Sequence, residues 1–514
     1  MPVAASFTVR NIARSIVLAL VFAATAVAAD VDRRLVEAVR QGRADVARDL
    51  VRQRVDVNTA QPDGTTPLHW AAEHGDRELV SLLLGAGANA NAASVFGVTP
   101  LSLACRNGDV GVVGLLLRAG ANPNAALRTG ETPLMTAAQS GRVEVVAALV
   151  EGGADVNARE PMAGQTALMW AAAEGHVDVV RVLVHAGGSV HDASRRGFTP
   201  LLFAARNGDL EMTRALFATG VDVNEAAKDG TTALMIATIR SHVDYAKFLL
   251  ERGADPNKGP GFAPLHWVVG DWSVELAGDK TAIRPEGTEW DRLLPLPDKV
   301  KIEYAKLLLE HGADVNARAR STPRSSVGSG GEGGAPGGGG GRLAGATPFF
   351  LAAQVADVPL MKFLLANGAD PLIRTARNVS PLMAAAGVDA NTRIGYTGIK
   401  EDDALAAVLL CLELGDDVQT VSTFGENALH GAGYRGNAGS NRIAQLLIDR
   451  GIQINVKNER GWSPVTLAEG IYTTDSNSKN PDLEKLLLEH GGLPSPPDIE
   501  RDSYAVLKES GPAK

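Results

Sequence analysis

Apolar and polar positions along most of the chain follow a two-helix rhythm that renews itself about every 33 residues. One turn of the rhythm begins Asp63-Gly64-Thr65-Thr66-Pro67-Leu68-His69-Trp70-Ala71-Ala72, breaks at Gly75, and continues with an apolar run from Leu79 to Leu84 before Gly85 and Gly87. Leu68, Ala71 and Ala72 share one face of a helix, and the small alanines admit a close neighbour. Thr66 stands as an N-cap with its hydroxyl available to a free amide of the first turn, and Pro67 at N1 forfeits no helical hydrogen bond. Gly75 fits a helix stop, and Asp63-Gly64 fits the tip of a tight hairpin. The phrase returns as Gly97-Val98-Thr99-Pro100-Leu101, Gly130-Glu131-Thr132-Pro133-Leu134, Gly164-Gln165-Thr166-Ala167-Leu168, Gly197-Phe198-Thr199-Pro200-Leu201 and Gly230-Thr231-Thr232-Ala233-Leu234. Each recurrence leads into a second helix that ends in a phrase such as Gly87-Ala88-Asn89 or Gly153-Ala154-Asp155-Val156-Asn157. A fixed period predicts a stack of similar repeats, none of which buries its apolar face alone.

Residue by residue the phrase resembles the ankyrin repeat, and the resemblance covers roughly 31–492. It implies an all-α ankyrin-repeat solenoid of about twelve helix–turn–helix units with short β-hairpin loops. The repeat at 31–61 has both helices but no hairpin phrase, and Asp32, Arg33, Arg34 and Arg40 give it the polar outer face of an end cap. Regular repeats follow at 62–94, 95–127, 128–160, 161–194, 195–227 and 228–260. Irregular ones follow at 261–319, 345–376, 377–423, 424–458 and 459–492. Four of these carry extra residues between their helices, at 270–300, 387–402, 433–440 and 470–481. Drift is one reading, since closure entropy grows slowly with loop length. An elaborated edge is the other, favoured at the first insertion by Trp272, Trp290, Leu293, Leu294 and Leu296. The Gly/Ser-rich stretch 320–344 cannot bury apolar area and is expected to be a disordered linker. It should divide the repeats into an N-terminal set, 31–319, and a C-terminal set, 345–492, with a tail at 493–514 that matches nothing.

The first residues read as a secretory signal, 1–29. Arg10 and Arg14 supply the charged region, Ile16 to Val27 the apolar core, and Ala26-Val27-Ala28 the small-residue cleavage site. The apolar run is shorter than the ~20 residues that span a bilayer, so cleavage after Ala28 or Ala29 is expected rather than an anchor. The composition resembles that of bacterial chains, which makes the periplasm the expected address and full secretion the other. Removal of two arginines and no acids takes the formal charge from −9 to −11. With no basic stripe, nucleic acid is not an expected partner. Cys105 and Cys411 are the only cysteines and lie seven repeats apart, too far for a disulfide, so both read as small buried apolar residues.

No motif for catalysis or metal binding appears. His-Glu-x-x-His, Cys-x-x-Cys, Asp-x-Asp-x-Asp-Gly and a nucleophile elbow are all missing, so no cofactor, metal site or enzymatic activity is expected. The candidate site is instead the face of the first helices that 70, 73 and 74 share. Along it stand Trp70, Glu73 and His74; Arg106 and Asn107; Gln139; Trp170 and Glu174; Phe203, Arg206 and Asn207; and Arg240. Hairpin tips add Val95, Phe96, Arg128, Arg195, Arg196, Phe198 and Lys228. In ankyrin proteins this surface lines the concave groove that grips partners, and aromatics flanked by Arg and Glu have the composition of binding hot spots. The competing reading for each position is that it packs on its neighbours in the stack. The expectation is therefore a monomeric, non-enzymatic module for a protein or peptide partner. A scaffold or stabiliser of an envelope enzyme and an exported effector are the other readings.

Overall fold

In the computed structural model the described residues are 33–270, 296–320, 343–388, 399–435, 439–473, 476–477, 479–499 and 501. The expected signal segment, most of the linker and the greater part of the insertions at 270–300 and 387–402 lie outside them. Every repeat read from the sequence contains its helix pair, from 33–40 with Ala44–Arg52 to Pro464–Glu469 with Pro481–Glu489. The hairpin loops are formed as turns; among the described residues only Tyr472–Thr473 and Ser476–Asn477 pair as short antiparallel strands. The chain forms two compact modules, Met1–Lys228 and Asp229–Lys514.

Most first helices are started by the hydroxyl that the sequence placed there, although that of Thr199 makes no such bond. Thr99, Thr132, Thr166 and Thr232 accept from the amides of Ser102, Met135, Met169 and Met235. Thr66 departs from this pattern: its amide and hydroxyl both meet Nδ1 of His69, at 3.1 and 2.8 Å, while His69 Nε2 donates to Val98 O in the next repeat. The imidazole thus caps its own helix and holds the following hairpin. The core is the expected face, with Leu68, Ala71 and Ala72 buried along with Leu101, Leu134, Leu168 and Leu201. At the N-terminal end Leu35, Ala38 and Val39 are buried while Arg33, Arg34 and Arg40 face solvent, as an end cap requires. Cys105 and Cys411 are free and buried, and burial pushes the Cys105 thiol up to about 12.

A ladder of side-chain amides ties one repeat to the next. Asn58 donates from Nδ2 to Gly87 O and accepts on Oδ1 from Asn89 N, at 3.1 and 2.7 Å. Asn91 does the same with Gly120 O and Asn122 N, and Asn124 with Gly153 O and Asp155 N. Asn157 reaches Gly187 O and Ser189 N. In the second module Asn257, Asn316 and Asn455 repeat the arrangement, and the longer Gln419 spans from Gly451 O to Gln453 N. Leu372 occupies the equivalent position in its repeat and has no amide, so that junction lacks the rung.

The segment 321–342 of the expected linker lies outside the described residues, and the residues that flank it are joined. Ala319 N donates to Ala346 O and Gly345 N to Ala319 O, at 2.9 and 2.6 Å, so the hairpin arms close at their base. His266 Nε2 donates to Ala317 O and Ala346 O, on both arms. The described residues on either side of 321–342 are therefore paired with one another. At the far end the chain folds back: Ile499 and Tyr434 pack on Trp462, Leu467 and Ile471, and Arg501 pairs with Glu469 at 2.5 Å. This part of the tail closes the last repeat.

Two predictions follow from these contacts. Replacing 321–342 with an Asn-Gly turn should leave the second module's melting as one transition, stabilised by about 1–2 kcal/mol through shorter loop closure. Two resolved transitions in calorimetry would show that the arms do not couple the flanking repeats. The second concerns pH. His266 Nδ1 accepts from Ala263 N, and burial holds its pKa down at about 4, with His430 likewise at about 4. Protonation would set a new N–H against that amide. Because the folded pKa lies below the unfolded value of about 6.5, this stability is complete above pH 6.5 and lost as pH falls towards 4. The loss is on the order of 3 kcal/mol per histidine. Denaturant melts at pH 7.5 and 4.5 should show it, with a smaller pH dependence in His266→Gln; equal dependence in both would refute the assignment.

Candidate protein-binding surface

The first helices of the first module place their polar ends in a row. Trp70 is half-buried, its Nε1 donating to Gln61 Oε1 at 3.3 Å and its ring 6.2 Å from that of His74. Glu73 pairs with Arg106 of the next repeat at 2.8 Å, and Asn107 Nδ2 donates to the Glu73 carbonyl. Asn207 makes the matching bond to Ala173 O at 2.7 Å. These two asparagines bind neighbouring helix ends, which accounts for their type without a partner. His74, Gln139 and Glu174 are exposed. Trp170 is half-buried; its Nε1 is on the buried side and has no hydrogen-bond partner among the described residues. Where Trp70 has Gln61 nine residues earlier, Trp170 has Pro161, which offers no side-chain acceptor.

Phe203 does not belong to the accessible face. It is only 5% exposed, packed 5.7 Å from Phe198 and beneath the Arg206 guanidinium at 5.6 Å. A large ring at this helix position turns towards the adjoining hairpin, where Phe198 covers it. Phe198 and Arg206 are half-buried in consequence. Arg240 lies in the second module and is half-buried, with Ile236 and Ile239 of its helix buried.

Backbone bonds lock successive tips together. Val95 N donates to Asp63 O, Arg128 N to Phe96 O, Arg195 N to Ala163 O and Lys228 N to Arg196 O, at 2.7 to 3.2 Å. Between Gly130 and Pro161 the link is steric: a Cβ on Gly130 would stand 1.9 Å from the proline ring, and φ there is +86°. The tip at 161–163 is shaped by Glu160, whose buried carboxylate accepts from the amides of Met162, Ala163 and Gln165. This turn pushes Met162 out to 77% exposure, beyond even Phe96 at 65%. Met162 is the residue that sequence reasoning missed; the signal was the one-residue-longer repeat with proline in place of the usual tip. Arg128, Arg195, Arg196 and Lys228 are exposed beside these two apolar tips.

Nothing in this arrangement gathers reactive groups. Among the described residues no cluster of His, Cys, Asp and Glu could hold a metal ion, and no helix is long and apolar enough to cross a membrane. His69, His266 and His430 spend their ring nitrogens on backbone groups.

Comparison with known proteins agrees with the repeat geometry. A family model of ankyrin repeats in three copies matches 35–126, 119–193 and 185–259, and a single ankyrin-repeat model matches 344–376, together about half of the chain. The chain is 29% identical over 166 residues to the putative ankyrin repeat protein YahD of Escherichia coli (strain K12), covering 28% of this chain and 80% of that protein. It is 41% identical over 58 residues to myotrophin of Xenopus tropicalis, covering 11% of this chain and about half (49%) of the relative. Ankyrin repeats are protein–protein interaction modules and are generally non-enzymatic. On these repeats, with their capped helix pairs and linked hairpin tips, the chain belongs to the ankyrin-repeat family.

Proposed function

We propose that the chain binds a protein or peptide through the hairpin tips and first-helix face of its first module, after export to the periplasm. The observation that carries the binding reading is the set of side chains the stack leaves unused. Phe96 and Met162 are largely in water, the Trp170 side chain is half-exposed, and Glu174 is exposed beside the helix end. Tryptophan is among the residue types that dominate binding energy at interfaces. Export rests on the charged, apolar and small-residue order of 1–29.

Two measurements test this. In a pull-down from envelope extract, Trp170→Ala should weaken capture by about 2 kcal/mol or more while leaving the melting temperature nearly unchanged. Leu168→Ala and Phe203→Ala, both in the core, should destabilise the module by roughly 2–5 kcal/mol. If Trp170→Ala unfolds the protein as Leu168→Ala does, its role is packing and the surface loses its central residue. The mass of the protein from its native envelope fraction should correspond to a chain beginning at Ala29 or Asp30; a chain retaining 1–28 would replace export with anchoring.

A further inference from the structure

We propose that the tip row of the first module takes an extended acidic segment in which apolar and acidic side chains alternate at intervals of about three residues. The proposal rests on the binding role just argued and adds the chemistry of the occupant. In chain order the tips present Phe96, Arg128, Met162, Arg195 with Arg196, and Lys228. Each apolar tip, Phe96 and Met162, is therefore followed by a cationic one, and the row ends on a further cation, with the spacing set by the links between tips. The step between packed helices is about 8–10 Å, and an extended chain advances about 3.3 Å per residue, so one tip corresponds to about three residues of ligand.

Three of these cations carry no partner within the module. The Arg128, Arg195 and Lys228 side chains have no hydrogen bond or ion pair among the described residues. The carboxylates along this edge are already engaged. Asp63 accepts from the Thr65 amide and hydroxyl, Glu131 from the Thr136 hydroxyl, Glu160 from the amides of its own turn, and Asp192 pairs with Arg159 at 2.7 Å. The exposed, unpaired cations at the tips favour acidic side chains in a ligand, and the exposed Phe96 and Met162 in the same row favour apolar side chains from it. Since the tips already use their backbone links with one another, recognition falls to side chains, and their order becomes the specificity.

The test is selection of displayed random 13-residue peptides on the full-length chain. Recovered peptides should carry Asp or Glu alternating with Leu, Ile, Met or Phe about every third residue. A synthetic peptide of the recovered sequence should lose at least tenfold in affinity for the charge-reversed variant Arg128→Glu/Arg195→Glu/Lys228→Glu, whose melting temperature should not change. Affinity should also fall as NaCl rises from 50 to 300 mM. Recovery of neutral or basic peptides, or affinity within twofold after charge reversal, would overturn the proposal. If selected peptides instead lose binding only with Trp170→Ala, the binding role stands and the acidic tip ligand does not. If no peptide is enriched, neither reading survives for peptide ligands. If vesicles of phosphatidylglycerol and phosphatidylcholine bind the protein in place of peptides, and charge reversal abolishes this, the edge serves a lipid surface and the proposal fails.

Discussion

A side-chain amide, present at most junctions between repeats, is the contact that orients one repeat on the next. An Asn such as Asn91 both donates to a carbonyl and accepts from an amide of the following repeat, so a single short side chain fixes two backbone groups of its neighbour. Hydrophobic burial joins repeats strongly but without direction, because Leu and Ala faces can slide. Two hydrogen bonds from one amide cannot slide. Each is exposed, so its net stabilisation is small, on the order of 1 kcal/mol or less. Repetition at successive junctions converts that small amount into a fixed rotation and rise, which is what linear coupling between neighbours requires.

The histidines at 69, 266 and 430 extend the same logic to the buried side. Each sits at the third position of a first helix, accepts from a backbone amide of its own cap and donates to a carbonyl of the next hairpin. His266 is placed at the repeat interrupted by the long insertion, and its Nε2 reaches both arms of the interrupted hairpin. A neutral imidazole is suited to this because one nitrogen is an acceptor and the other a donor. The cost is sensitivity to acid, since the charged ring has no acceptor left.

Much of this was legible in sequence because helix caps, alanine faces and closing glycines are local and recur in phase. Thr99, Pro100 and Gly108 announce their helix whatever surrounds it. What was not legible depends on contacts between repeats. Phe203 shares its helix position with Trp70 and Trp170, yet it is buried because Phe198 lies over it, a pairing that only the fold brings about. Met162 escaped notice because Pro161 disguises the tip, and its exposure is produced by the amide bonds to Glu160. Ala319 and Ala346 carry nothing in their own character to mark them as the two arms of one hairpin. Beyond these, the function of the insertions rests on residues whose sequence has no periodic frame from which a contact could be read.

Division of labour between the faces explains why the binding surface can vary without harm to the fold. The amide rungs, capping histidines and leucines draw on main-chain groups and buried positions, whereas side chains at the tips contribute little to the links between tips. Those links are made by backbone N–H and C=O groups, as between Arg128 and Phe96, and are independent of which side chain the tip carries. Pro161 is informative here: having no N–H, it replaces the hydrogen bond with ring contact against Gly130, and the row continues unbroken. A tip can therefore exchange phenylalanine for arginine or methionine at small energetic cost, and the pattern of side chains along the row is available for selection by a partner.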